Sequence, residues 1–190
     1  MRSLLAVFLF CNLALAQQSV RTIYFVRNAE KASTDANAAL SPAGAKRADC
    51  LAATLKDAGV KQIYVTNTLS SQQTADPLAK QSKITPKITP AEDAIKMVRD
   101  LFYAGSGNTL VVGLNTTLPQ TIARMKAGTI KLGENDYDKL FVVTTMEGSA
   151  TPVVTLHYCQ ASATAAATPS PTHVVKPAAA PAAKKAPAKK

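Results

Sequence analysis

Thr22-Ile23-Tyr24-Phe25-Val26-Arg27-Asn28-Ala29-Glu30-Lys31 decides the fold. An apolar run of β-branched and aromatic residues stops abruptly at charged ones. A strand buried on both faces of a parallel sheet has this composition, and its polar end falls where such sheets place their sites, beyond the strand's carboxyl end. Arg27, Asn28 and Glu30 are therefore the first candidate site residues.

The same logic extends along the chain. Ser41 and Pro42 read as the N-cap and first position of a helix, with Ala48, Leu51, Ala52 and Leu55 at helical spacing and Gly59 as its stop. Gln62–Val65 reads as a second strand, followed by a helix over 71–81. Lys83–Pro90 holds Ile-Thr-Pro twice, which predicts a short edge strand with turns. A helix over 91–102 buries Ala94, Ile95, Val98, Leu101 and Phe102. Thr109–Gly113 is another buried strand, 118–126 a helix, Leu140–Thr144 a strand, Glu147-Gly148 a turn, and Val153–Tyr158 a last strand closing an antiparallel hairpin. Alternating strands and helices give a three-layer α/β fold, a mostly parallel sheet with helices on both faces. Asn67–Ser70 and Leu114-Asn115 then join Arg27-Asn28 at the carboxyl ends of the strands.

Several blocks of this order resemble the histidine phosphatase superfamily, the phosphoglycerate mutase-like fold. Arg27-Asn28-Ala29-Glu30 is similar to its Arg-His-Gly/Ala-Glu signature. Leu40-Ser41-Pro42-x-Gly44 is similar to its helix start, and Gln73-Thr74-Ala75 to its Arg-x-x-Gln-Thr-Ala helix. Val111-Val112-Gly113-Leu114-Asn115-Thr116-Thr117-Leu118-Pro119 matches Val-Val-Gly-His-Ser-Asn-Thr-Val-Pro. Tyr137-Asp138-Lys139-Leu140-Phe141-Val142-Val143 resembles a block of small exported members. The resemblance runs from Thr22 to Tyr158.

It implies a chemistry that this chain lacks the groups to perform. The family uses a neutral imidazole as nucleophile, two arginines and a second histidine around the phosphoryl oxygens, and a carboxylate that protonates the leaving group. At the matching positions stand Asn28 for the nucleophile, Ser70 for the second arginine and Leu114 for the second histidine; Arg27 remains. An amide nitrogen has no available lone pair, so Asn28 can only hydrogen-bond. Losing one electrostatic donor at a transition state costs about 2.7–4 kcal/mol, and two would cost on the order of 10⁴–10⁶ in rate if additive. Glu92 and Asp93 lie in the region of the family's acid, without an assignable role. The chain's two histidines, His157 and His173, fall on the last strand and in the tail.

The resemblance therefore implies a pseudophosphatase with a degenerate site, acting by binding a ligand or a protein partner. Arg27, with Asn28 and Ser70 as donors, would either hold an anion such as a phosphorylated small molecule, or be a leftover paired with Glu30 or Asp93. Two rival readings stand beside it: a residual or altered phosphomonoesterase using Arg27 and Ser70, and an envelope-surface protein working through its tail.

The ends carry the remaining signals. The chain has 190 residues, 47% hydrophobic, with a formal charge of +10. Residues 1–16 read as a secretory signal peptide: Arg2, an apolar core from Leu4 to Leu15, and Ala14-Leu15-Ala16 before Gln17. The mature domain is then 17–160, and the protein is exported, periplasmic or extracellular. Residues 161–190 are rich in Ala, Pro, Thr and Lys and read as a disordered basic tail. Five tail lysines and Arg2 account for much of the charge, leaving about +4 for the domain. The tail is a tether to an anionic envelope surface or a solvated spacer; with no interleaved aromatics, specific nucleic-acid binding is not expected. No pair among Cys11, Cys50 and Cys159 has metal-ligand spacing, so no metal site and no cofactor is expected. In an oxidising compartment Cys50 and Cys159 either pair or remain separate thiols.

Overall fold

The computed structural model describes residues 20–103, 107–146 and 148–159. The leader, Cys11 and the basic tail with His173 lie outside the described residues, as do Glu147 and the side chains of Ala94 and Ile95.

The elements alternate as the sequence suggests. In chain order they are β1 (Arg21–Arg27), α1 (Pro42–Leu55), β2 (Val60–Thr66), α2 (Leu69–Ser82), β3 (Lys87–Thr89), α3 (Ala94–Tyr103), β4 (Asn108–Gly113), α4 (Thr117–Arg124), β5 (Lys139–Met146), β6 (Ser149–Ala150) and β7 (Val154–His157). One sheet runs β3-β2-β4-β1-β5, with β6 and β7 both paired to β5. The pairs β1–β4, β2–β4 and β2–β3 are parallel; β5 lies antiparallel to β1. The first strand is thus central, which explains its unbroken apolar run: Ile23, Phe25 and Val26 are buried.

Two apolar layers flank the sheet. On one side Val26, Ile63, Val65, Leu110 and Val112 pack against Leu51, Ala52 and Leu55 of α1 and Ala75 and Leu78 of α2. On the other Phe25, Val111 and Phe141 pack against Met97 and Leu101 of α3 and Leu118 and Ile122 of α4. Among the described residues no helix is long and apolar enough to cross a membrane.

Local chemistry fixes how α1 meets the sheet. Ser41 caps the helix, its Oγ accepting from the Gly44 amide at 3.1 Å, with Pro42 in the first turn. The Ser41 amide donates to the Glu30 carbonyl at 2.8 Å. A Cβ on Gly44 would sit 2.2 Å from that same carbonyl oxygen, so only glycine lets the helix start touch the loop after β1.

Three expectations need adjusting. The last strand is divided: β6 pairs with Thr145 and Met146, β7 with Lys139–Val142, and Thr151–Val153 intervene. The third helix begins at Ala94, later than 91, and buries Met97, a position absent from the expected face. Cys50 and Cys159 resolve their open alternative as a disulfide with Cα atoms 6.0 Å apart, joining α1 to the chain just beyond β7.

Candidate functional site

The parallel register brings the three strand ends together. Arg27 pairs with Gly113 in the β1–β4 ladder, and the Asn28 amide donates to the Gly113 carbonyl at 2.8 Å. Asn28 therefore stands beside Leu114, and α2 starts next to both. A cavity of about 670 Å³ opens over these ends, and Arg27, Asn28, Ser70 and Leu114 all line it. Four positions from three separate stretches of sequence thus line one cavity.

The Gln73-Thr74-Ala75 block holds this arrangement. Gln73 Oε1 accepts from the Leu40 amide at 2.8 Å, Thr74 Oγ1 accepts from the Ala29 amide at 2.9 Å, and Ala75 is fully buried. Thr74 Oγ1 also donates to the Ser70 carbonyl at 2.7 Å. Asn37 Oδ1 accepts from the Leu69 amide, tying the loop after β1 to the start of α2 beside the cavity.

The side chains at the strand ends are engaged locally or closed off. Asn28 is buried, and its Nδ2 donates to the Ala29 carbonyl at 3.0 Å, so the amide is engaged with its own backbone. Ser70 is 1% exposed; its Oγ is buried without a partner among the described residues, and no imidazole stands near to deprotonate it. Leu114 contributes an apolar side chain to the residues lining the cavity. Its own amide donates to Thr117 Oγ1 at 3.0 Å at the start of α4. His157 lies on β7, its Nδ1 2.8 Å from Asp138 Oδ2, and does not line the cavity.

Arg27 pairs with neither Glu30 nor Asp93. Its Nη1 donates to the carbonyls of Gly133 (2.9 Å) and Glu134 (2.7 Å), and its guanidinium carbon lies 4.0 Å over the centre of the Tyr137 ring. The loop supplying these contacts is braced. Asp136 Oδ2 accepts from the Gly133 amide and from Lys139 Nζ, each at 2.7 Å, and these two bonds hold the Asp136 carboxyl below its ordinary range. Arg27 is only 7% exposed, and among the described residues no carboxylate forms an ion pair with it; its Nε has no partner. Its charge meets two carbonyl dipoles, the Tyr137 ring and the longer-range charge of Glu30 rather than an ion-pair partner, which makes this guanidinium the electrostatic centre of the cavity.

Glu30 is taken by a residue the sequence reading passed over. Arg47 on α1 donates to both its carboxylate oxygens from Nε at 2.9 Å, and from Nη2 at 2.7 Å. Burial pushes the Glu30 pKa up, but the Arg47 hydrogen bonds, the residue's own backbone hydrogen bond and the two nearby arginine charges outweigh it and leave it lowered. Glu92 and Asp93 stand apart, lining a smaller cavity with Lys96 and Arg99. The carboxylate that does line the main cavity is Glu134.

Comparison with known proteins agrees with this fold. Residues 23–93 match the sequence model of the histidine phosphatase superfamily (branch 1). Among solved structures, the protein histidine phosphatase SixA complexed with tungstate superposes with a TM-score of 0.60 at 16% identity, over 72% of this chain and 96% of that one. The chain has the histidine phosphatase superfamily fold. The alpha-ribazole phosphatase from Shigella flexneri gives a TM-score of 0.58 at 14% identity, covering 69% of this chain and 94% of its own. A phosphoglycerate mutase from Plasmodium falciparum gives 0.51 at 16%, covering 74% and 91%. At these identities the likeness is one of fold. No curated protein matches the sequence.

Proposed function

We propose that this chain is a non-catalytic histidine-phosphatase-fold protein that binds a small anionic ligand in the cavity at the carboxyl ends of β1, β2 and β4. One observation carries the proposal. Among the described residues Arg27 is a buried guanidinium in no ion pair with a carboxylate, and it faces a cavity of about 670 Å³ lined by none of the described histidines. The first half favours an anion; the second leaves no imidazole nucleophile or imidazole base to act on it.

The residual-phosphoesterase reading is weakened by Ser70. A hydroxyl that is 1% exposed and without a base is a poor nucleophile. The Cys50–Cys159 disulfide supports export to an oxidising compartment. Attachment to an envelope surface through residues 161–190 is a separate reading, tested by fractionating a chain that lacks them.

Calorimetric titration with ethyl phosphate tests the binding proposal. Saturable binding that is lost in Arg27→Ala is expected. Equal binding by both proteins would place the anion elsewhere and overturn the assignment.

A further inference from the structure

The proposed anion site sits beside a carboxylate with nothing to do. Glu134 gives its backbone carbonyl to Arg27 at 2.7 Å, yet among the described residues no hydrogen bond or ion pair engages its side chain. The residue is exposed and is one of those lining the same cavity. Lys31, also on the cavity wall, donates from Nζ to the Asp35 carbonyl at 2.7 Å, and no ion pair among the described residues neutralises its charge. The wall thus displays two cations and one carboxylate, none of them in an ion pair among the described residues.

That pattern is wrong for a bare anion. Glu134 would repel a phosphate or carboxylate brought to the neighbouring Arg27. The volume is wrong as well: a space of about 670 Å³ is in the range that takes a small organic molecule, with a body beyond its charged head. Resting on the binding reading above, we infer that the ligand is a small zwitterion, an anionic group joined by a short chain to a primary ammonium. The anion lies against Arg27 and Lys31. The ammonium meets Glu134, and the Tyr137 ring, held under the guanidinium at 4.0 Å, keeps the cationic wall in place.

Matched probes isolate the ammonium. 2-Aminoethyl phosphate differs from ethyl phosphate by that group alone, and β-alanine differs from propionate in the same way. In calorimetric titrations of the full chain, the amino member of at least one pair is expected to bind about fivefold tighter, the scale of a partly exposed ion pair. In Glu134→Gln that ratio is expected to fall to about one, with ethyl phosphate binding somewhat tighter once the repelling carboxylate is neutral. Ethyl phosphate binding without any ammonium preference, or a preference that survives Glu134→Gln, overturns this inference and leaves the anion-binding reading standing. Binding of none of the four probes overturns both. Co-sedimentation with phosphatidylethanolamine vesicles but not phosphatidylcholine vesicles would assign the zwitterion to a lipid headgroup; an ammonium preference in solution without co-sedimentation would assign it to a free molecule.

Discussion

Removing the Cys50–Cys159 disulfide should cost this domain a large share of its stability. The bridge closes a loop with a sequence separation of 109 residues. In the chain-entropy treatment a loop of that size constrains the unfolded chain by about 5 kcal/mol at 25 °C. Unfolding entropy is about 2.1 cal/mol/K per residue, so for a body of about 140 residues the loss corresponds to a fall in Tm of about 15 °C. The structural consequence is specific. The bridge fastens α1, which carries Arg47, to Cys159 just beyond β7, whose Val154 and Leu156 are half exposed on a sheet edge. Among the described residues β7 pairs with β5 alone, so the last strand should loosen first. The assay is thermal unfolding followed by circular dichroism, comparing the oxidised chain with a Cys50→Ala/Cys159→Ala variant, in which neither bridging thiol remains. Hydrogen exchange should show β7 amides losing protection ahead of β1. A fall in Tm below about 5 °C, with β7 as protected as before, would refute the reasoning.

Other outcomes follow from single contacts. Gly44→Ala forces a Cβ to within 2.2 Å of the Glu30 carbonyl oxygen and should destabilise by about 1–3 kcal/mol in urea unfolding, although alanine is the better helix former. Tyr158→Phe should be neutral or stabilising, because the hydroxyl is buried without a partner among the described residues; a loss above about 1 kcal/mol would contradict this. Glu30 is lowered in the folded state, so its contribution is complete above the unfolded value of about 4.3 and disappears as pH falls through the folded value. The stability gap between the natural chain and Glu30→Gln should therefore be present at pH 6 and close progressively below about pH 4; a gap that widens in acid would reverse the sign.

The scaffold could be read from the sequence because its signals are local. The run from Thr22 to Val26 announces a central strand, and Ala48, Leu51, Ala52 and Leu55 mark the buried face of α1 at its own period. The convergence of Arg27, Asn28, Ser70 and Leu114 was legible because parallel strands deliver their carboxyl ends to one edge. What escaped was long-range or aperiodic. Arg27 meets carbonyls 106 and 107 residues away, in a loop without hydrophobic periodicity, and backbone acceptors leave no trace in side-chain identity. Glu134 lies in that same loop, so the cavity's carboxylate was sought at Glu92 and Asp93 instead. Arg47 could have been found: it is a basic residue near the middle of α1, six positions after the Ser41 cap whose amide bonds the Glu30 carbonyl. The break between β6 and β7 had only Pro152 as its signal, one residue before the expected strand start.

Steady-state hydrolysis of a phosphomonoester by the purified chain, beside its Arg27→Ala variant, bears straight on whether the chemistry has been lost. With Asn28 bonded to the Ala29 carbonyl and no histidine in the cavity, both proteins should release no phosphate above the uncatalysed rate. Turnover by the natural chain that disappears in Arg27→Ala would show that this cavity is a working active site and contradict the pseudophosphatase proposal.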